Sequence, residues 1–281
     1  MKKNKSILII LTGSSGFLGN YLYEKIKKKY NIILLKSSVL ICNKKFIVPK
    51  NFKKTIVIHS AAATPTNSTL QNIKNINKKM IVSLNNLSKQ LYNPIFINIS
   101  SVSMFNGIKN GVLYNNSRYK PLDEFSQSKV FVEKYLQKNL KHYQKIFNLR
   151  LPGVIGKEAN RNFMINLINK LSKGDSIKIY NPKSQFNNLV HVSQVTKIII
   201  SIINNDIIFR QKYVKLNLCS SDIITISNLV LYLKKKLKSN SIISHVKTKR
   251  KSFFIFRTKY LHDKRLLYSI KRNLNLYINE K

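Results

Sequence analysis

The chain has 281 residues, 43% of them hydrophobic, which excludes a disordered tail and allows one sizeable core or a main domain with a smaller one. Its formal net charge of +41 comes mostly from lysine scattered along the whole sequence among asparagine and isoleucine. These three residue types share AT-rich codons, so genome composition is sufficient to explain the charge. We therefore expect a solvated lysine coat and no nucleic-acid partner.

The cysteine content and the hydropathy pattern predict a cytoplasmic protein. Two cysteines are too few for a disulfide framework and favour a reducing compartment. No apolar run approaches the roughly 20 residues that cross a bilayer, so no membrane partner is expected. The basic N-terminus is followed by an apolar run at residues 7–11, but this run is shorter than the roughly 7–15 residues of a signal-peptide core. We interpret it as part of a first strand over residues 6–12.

A glycine-rich turn follows this strand and opens a helix. It reads Thr12-Gly13-Ser14-Ser15-Gly16-Phe17-Leu18-Gly19. Glycine lets the backbone turn tightly and approach a pyrophosphate, and a helix N-terminus offers free N–H groups and a positive dipole end to phosphates. The chain has only eight glycines, and three of them lie at this junction. We predict a dinucleotide site at this turn; the alternative is a turn with a structural role only.

Short β-rich runs then alternate with helical patterns, as in βαβ units with a parallel sheet. Further strands are predicted over residues 31–36, 55–59, 94–100 and 145–150. The clearest helix has one apolar stripe formed by Ile73, Ile76, Met80, Leu84, Leu87 and Leu91. A second amphipathic helix is predicted over residues 126–143.

After Arg150 the alternation becomes irregular. We predict a nucleotide-binding domain over residues 1–150 and a smaller, mainly substrate-binding lobe over residues 151–281. Two segments of the second part, 189–192 and 214–218, are expected to return to the main sheet. The last forty residues are basic and aromatic, and their order is left open.

Several motifs resemble the extended short-chain dehydrogenase/reductase family, whose members remodel nucleotide-activated sugars. Besides the glycine turn, the resemblance rests on five segments in the expected order: Ile56-Val57-Ile58-His59-Ser60-Ala61-Ala62, Ile97-Asn98-Ile99-Ser100-Ser101-Val102-Ser103-Met104-Phe105, Phe125-Ser126-Gln127-Ser128-Lys129, Leu149-Arg150-Leu151-Pro152-Gly153-Val154-Ile155-Gly156 and Leu189-Val190-His191-Val192. It covers roughly residues 6–200. It implies a doubly wound α/β Rossmann fold with a small C-terminal substrate lobe, and it places Ala61, Ala62 and Pro152 beside the cofactor.

In this family a serine, a tyrosine and a lysine cooperate in proton and hydride transfer. The resemblance assigns the serine to Ser101 and the lysine to Lys129, with Asn77 as a tentative fourth member. The alternatives are that Ser101 caps a turn and that Lys129 is a surface lysine. Phe125 occupies the tyrosine position, four residues before Lys129, and phenylalanine has no ionisable proton. Tyr119 could reach the site only from a loop.

The substrate side departs from the family pattern as well. Gly153 lies where many relatives have an asparagine that contacts the substrate, and Asn187 lies where many have an arginine that contacts nucleotide phosphates. Ser193 and Gln194 replace an acidic pair. His191 is expected to be a structural histidine.

The second predicted strand ends without the carboxylate that usually binds the adenosine ribose. Lys36, followed by two serines, suits a 2′-phosphate instead, so NADP is favoured over NAD; the alternative is a loop lysine without a ligand. No metal site is predicted, and the chain is a candidate homodimer.

Two hypotheses lead. One is an NAD(P)-dependent epimerase, dehydratase or reductase of a nucleotide sugar, serving surface-polysaccharide synthesis and impaired by Phe125. The other is a non-catalytic dinucleotide-binding sensor or assembly protein. A basic nucleic-acid-binding protein on the same scaffold is a third alternative, and steeply salt-dependent retention would identify it.

Overall fold

The computed structural model describes residues 4–42, 46–49, 51–65, 72–108, 111–159, 162–206, 209–246, 255–257 and 266–281. The chain divides into two compact units. The first comprises Met1–Gly107, Arg118–Arg150 and Thr196–Leu216, and the second comprises Ile108–Ser117, Leu151–Val195 and Asn217–Lys281. None of the helices in the described ranges is long and apolar enough to cross a membrane.

Strands and helices follow one another along the described part of the chain. In chain order the strands are β1 (Asn4–Thr12), β2 (Tyr30–Leu35), β3 (Lys54–His59), β4 (Ile95–Ser101), β5 (Val112–Leu113), β6 (Lys145–Leu151), β7 (Gly153–Ile155), β8 (Ile177–Tyr180), β9 (Gln185–Phe186), β10 (Leu189–His191), β11 (Tyr213–Asn217), β12 (Ile224–Thr225), β13 (Ile243–Val246) and β14 (Ile255–Phe256). The α-helices are α1 (Phe17–Ile26), α2 (Ser37–Ile41), α3 (Ile73–Ser88), α4 (Glu124–Lys138), α5 (Phe163–Lys173), α6 (Val192–Ile203), α7 (Ile226–Lys236) and α8 (Ile270–Asn279).

The first unit is built on a six-stranded sheet in the order β11-β6-β4-β3-β1-β2. Strand β1 pairs in parallel with β2 on one side and β3 on the other, so that Thr12 lies opposite both Leu35 and His59. The chain thus continues from β1 to β2 on one side of β1 and then crosses to β3 on the other side. This reversal is a topological switch point, where open α/β sheets bind ligands at the carboxyl ends of the strands. The predicted doubly wound parallel fold is confirmed.

Both faces of this sheet are buried, which explains the nearly continuous apolar runs of its strands. Leu8 and Ile10 of β1 pack in one cluster with Met80 and Leu84 of α3. Ile9, between them, is also fully buried and points to the opposite face because side chains alternate along a strand. Each such side chain contributes roughly 1.5–3 kcal/mol when it leaves water. The predicted stripe is therefore the core face of α3, but the helix ends at Ser88, so Leu91 lies beyond it and packs partly buried against the same cluster.

Helix α4 differs from the prediction at both ends. It begins at Glu124 because Asp123 and Ser126 form a capping box, in which Asp123 Oδ1 accepts the Ser126 N–H at 2.8 Å. It ends at Lys138, and a short 3-10 turn, Leu140–His142, follows. Tyr143, predicted on the helix, is buried beyond it, where its hydroxyl donates to Asn85 Oδ1 at 2.8 Å.

The second unit contains helices α5, α7 and α8 around a core of its own. Leu189–His191 pairs with Gly153–Ile155 in a separate two-stranded sheet and does not join the main sheet as expected, whereas Tyr213–Asn217 does join it, beside β6. Within the basic C-terminal region, α8 buries Ile270, Leu274 and Tyr277 at helical spacing. Residues 247–254 and 258–265 of that region lie outside the described part.

Candidate functional site

The turn after β1 requires glycine at two positions for different steric reasons. Gly13 has φ +73°, and a Cβ added there would lie 2.5 Å from the Ala61 nitrogen. At Gly19 a Cβ would lie 2.0 Å from the Gly13 carbonyl oxygen, which is how closely α1 packs on the turn. Gly16 is different, because its Cβ would meet only the Gly13 oxygen at 3.4 Å, an ordinary contact. Steric demand of the protein itself does not require glycine at position 16.

The N-terminus of α1 lacks a side-chain cap. Its N-cap is Gly16, with no side-chain hydrogen bond and no acidic residue in the first turn. It shares this lack of a side-chain cap with α2 and α3, whereas α4, α5, α7 and α8 begin with a side-chain oxygen that accepts a first-turn N–H. Ser14 and Ser15 precede this uncapped end in the turn, and Phe17 and Leu18 are the first two residues of the helix. A pyrophosphate fits it, because phosphate oxygens accept such N–H groups and favour the positive dipole end.

A buried histidine ties the ends of β1 and β3 together. His59 Nδ1 lies 2.9 Å from Thr12 Oγ1, which also accepts the Ala61 N–H at 3.2 Å. Burial, together with the charge of Lys129, lowers the pKa of His59 to about 3, so the ring is neutral near pH 7. These bonds fix the Ala61 backbone against Gly13. His59 has no role in the sequence-based prediction, although a histidine ending an apolar strand beside the glycine turn was the available signal.

Asn77 fixes the loop after β3 to helix α4. Its Oδ1 accepts the Ala63 N–H at 2.8 Å, and its Nδ2 donates to the Ala63 carbonyl at 3.1 Å and to Ser128 Oγ at 2.9 Å. Ser128 Oγ in turn donates to the Phe125 carbonyl at 2.6 Å. Asn77 therefore positions the start of the helix that bears Lys129.

Lys129 and Phe125 are adjacent on the first turns of α4. Lys129 is 7% exposed, donates from Nζ to the Ile99 carbonyl at 2.9 Å, and lies 5.5 Å above the centre of the Phe125 ring. Burial lowers the pKa of Lys129 to about 8, while Glu133, one turn further on, acts in the opposite direction. This lysine is thus no part of the solvated coat.

Ser101 ends β4, two residues beyond the Ile99 carbonyl that holds Lys129. Its Oγ accepts the Ser103 N–H at 3.1 Å and caps the 3-10 turn Val102–Phe105. The capping role considered from the sequence is therefore present, and the hydroxyl proton remains free to donate.

Comparison with known proteins agrees with this geometry. The family model described as the NAD dependent epimerase/dehydratase family matches residues 9–213. The chain belongs to this family. No curated protein matches the sequence.

Solved structures of low sequence identity share the fold of this family member. A UDP-glucose 4-epimerase from Thermotoga maritima, solved with UDP-glucose, has 16% identity and a TM-score of 0.72, over 97% of this chain and 98% of that one. A dTDP-glucose 4,6-dehydratase from Bacillus anthracis, solved with NAD, has 15% identity and a TM-score of 0.73, over 98% and 96%. A dTDP-4-dehydrorhamnose reductase from Clostridium acetobutylicum has 16% identity and a TM-score of 0.72, over 97% and 98%.

The epimerase/dehydratase family member also contains a buried ionic cluster that was not predicted from the sequence. Arg150 donates to Glu133 from Nε at 2.9 Å and from Nη2 at 2.6 Å, and the two side chains are 0% and 1% exposed. Ser100 Oγ donates to the same carboxylate at 2.7 Å. Glu133, an acidic residue on the buried face of a helix in a chain with ten acidic residues, was the signal.

Tyr119 is part of this cluster. Its hydroxyl donates to Glu133 Oε2 at 2.9 Å and accepts from Arg150 Nη2 at 2.7 Å. Burial and the Glu133 charge raise the pKa of Tyr119 well above its usual value. The hydroxyl that could have replaced the missing tyrosine is thus held by two charged partners.

The remaining predicted cofactor residues follow the ends of three strands. Lys36 is exposed directly after β2 and forms the N-cap of α2. Ala61 and Ala62 follow β3, and Ala62 is half-buried. Pro152 belongs to the second unit, directly after β6.

The departures on the substrate side lie in the second unit and have local partners. Asn187 exchanges two hydrogen bonds with the Phe256 backbone, at 2.8 and 3.0 Å. Gln194 Nε2 donates to the Cys219 carbonyl at 3.3 Å. His191 Nδ1 accepts the Ser193 N–H at 3.2 Å at the start of α6, and its Nε2 lies 3.2 Å from Glu280.

Proposed function

We propose that the chain binds NAD(P) at the turn of residues 13–19 and acts on a nucleotide-activated sugar as an epimerase, dehydratase or reductase. The uncapped N-terminus of α1 supports this most directly, because it meets a glycine turn built against the Ala61 backbone at the switch point. The solved structures support the substrate class, since one of them was solved with UDP-glucose and another with NAD.

Each residue then has a defined task. The N–H groups of the first turn of α1 hold the pyrophosphate, and Ala61 and Ala62 line the cofactor. Lys129 binds the nicotinamide ribose, and Ser101 donates to the reacting oxygen. The nicotinamide, when bound, supplies or accepts the hydride.

We further propose a preference for NADP. Lys36 lies exposed at the carboxyl end of β2, beside β1, and the strand end has no carboxylate to bind a ribose 2′-hydroxyl. An exposed ammonium attracts a 2′-phosphate. We propose that the sugar product serves surface-polysaccharide synthesis, that the protein is cytoplasmic and that it forms a homodimer. These three proposals rest on the family resemblance and the composition.

A second candidate function is supported by Phe125. A site that holds cofactor without a positioned general acid loses about 10²–10⁴ in rate. The Tyr119 hydroxyl is bonded to Glu133 and Arg150, so it offers no simple replacement. A dinucleotide-binding sensor or assembly protein is the function this observation favours.

Fluorescence titration with NADPH and NADH tests the binding site, using Gly16→Val as the diagnostic variant. A Cβ at position 16 would meet only the Gly13 oxygen, at 3.4 Å, so we expect the fold to persist while the branched side chain blocks the approach of the phosphate. We expect affinity to fall at least about 100-fold, equivalent to roughly 2.7 kcal/mol.

Lys25→Val, on an exposed part of the same helix, is the matched control and should bind normally. Unchanged affinity in Gly16→Val would contradict the site. Turnover of a nucleotide-sugar panel by the wild type separates the enzyme from the sensor, which should bind cofactor and convert nothing.

A further inference from the structure

The surroundings of the Lys129 ammonium allow it to release a proton. It has three N–H bonds, and the Ile99 carbonyl accepts one of them at 2.9 Å. The ammonium lies over the face of the Phe125 ring, 5.5 Å from its centre, at the residue that replaces the family's phenol. The position is therefore occupied by a ring that stabilises a cation but cannot exchange a proton with it.

The neighbouring hydroxyls are poorly suited to the task. Tyr119 donates to Glu133 and accepts from Arg150, so releasing its proton would leave a phenolate against a carboxylate. Ser101 can donate a hydrogen bond, but an alcohol does not ionise near neutral pH. Among the described side chains at this end of β4 and α4, Lys129 is the group with a removable proton.

Resting on the function proposed above, we infer that Lys129 itself exchanges the proton with the reacting sugar oxygen in this chain. In the reductive direction the carbonyl carbon would be reduced by a hydride and its electron pair, which a bound reduced nicotinamide would supply. The carbonyl oxygen takes a proton as one Nζ–H bond of Lys129 breaks and an O–H bond forms. Lys129 is left as a neutral amine and regains a proton from water. In the oxidative direction the neutral amine accepts the hydroxyl proton.

The surrounding charges are compatible with both protonation states. Burial lowers the pKa of Lys129 to about 8, so near neutral pH the ammonium predominates and the amine is within reach. Glu133 on α4 favours the ammonium, and its own charge is shared with Arg150 of β6 and with Tyr119. His59, at the end of β3, is neutral and adds no competing charge.

The test substitutes arginine for the lysine. Lys129→Arg retains the positive charge and can still donate to a carbonyl, but a guanidinium does not release its proton. Lys134→Arg, on the exposed face of the same helix, is the matched control. Three properties are measured: the lysine pKa values of cofactor-free protein by NMR of ¹³Cε-labelled lysine, the cofactor affinity, and the sugar turnover across pH.

We expect one lysine signal to titrate near pH 8 and to be missing from Lys129→Arg only. Turnover of Lys129→Arg at saturating cofactor should fall at least about 100-fold, a loss separate from any weaker cofactor binding that follows from the altered ribose contact. The change in turnover that the wild type shows near pH 8 should be absent from the pH profile of Lys129→Arg.

Retention of turnover in Lys129→Arg, or a Lys129 signal that titrates above pH 10, would overturn the inference. Cofactor binding by a wild type that converts no sugar would also overturn it, and would favour the sensor. Failure of the wild type to bind any cofactor would instead refute the proposed function.

Discussion

The turn of residues 13–19 and the Ser101–Phe125–Lys129 end of the same unit differ in what their chemistry depends on. The turn offers backbone N–H groups, which every residue except proline possesses, so its function depends on glycines and on the start of a helix. The other end depends on particular side-chain groups, and one missing phenol oxygen at Phe125 removes the usual acid. A site made of backbone tolerates sequence drift that a site made of side chains does not.

The largest expected effect concerns the structural support of the second region. Glu133→Gln leaves the buried Arg150 charge without its carboxylate, and breaking such a pair from one side costs about 3–5 kcal/mol. Chemical denaturation should show this loss in the free energy of unfolding. Glu24→Gln breaks an exposed pair with Lys27 and should leave the free energy of unfolding nearly unchanged, because water screens the pair. Equal effects of the two variants on the free energy of unfolding would show that the buried cluster does not stabilise the fold.

The next largest effect restores the missing group. Phe125→Tyr adds one hydroxyl to a ring of the same shape, beside a buried lysine suited to stabilise a phenolate. We expect turnover of a suitable nucleotide sugar to rise at least about tenfold, towards the 10²–10⁴ that general acid/base catalysis typically contributes.

Steady-state kinetics at saturating cofactor measures the gain. Phe131→Tyr, on the same helix and stacked on Tyr135, is the matched control and should change nothing. No gain in Phe125→Tyr with cofactor and sugar both bound would mean that more than one group has been lost, and would favour the binding-protein function.

The smallest expected effect concerns the choice between NADP and NAD at the end of β2. Lys36→Ala should lower the ratio of NADP to NAD affinity by a few-fold only, because an exposed ammonium interacts through water. Parallel titrations at low and moderate salt measure the ratio, and the effect should shrink as salt rises. Ser38→Ala, also exposed after β2, is the comparison variant. A wild type that prefers NAD, or a ratio unaffected by Lys36→Ala, would reject the NADP proposal.

The sequence by itself determined the fold class and the glycine turn. Both depend on local patterns: the apolar runs of buried parallel strands, the helical stripe of Ile73, Met80 and Leu84, and glycine spacing at a strand–helix junction. Steric limits on the backbone act over a few residues, so a linear pattern can express them. The family resemblance identified Phe125, four residues before Lys129, as the residue at the position of the family's tyrosine.

Only the tertiary structure decided the environments of the polar side chains. Glu133, Arg150 and Tyr119 come from a helix, a strand and a loop, and their bonds form between residues up to 31 positions apart. His59 and Lys129 owe their lowered pKa values to burial, which no residue spacing expresses. The sequence also did not show that Leu189–His191 pairs with β7 and not with the main sheet, because that pairing joins segments far apart in the chain. Contacts between distant segments set desolvation and hydrogen-bond partners, and those in turn decide which groups can take part in chemistry.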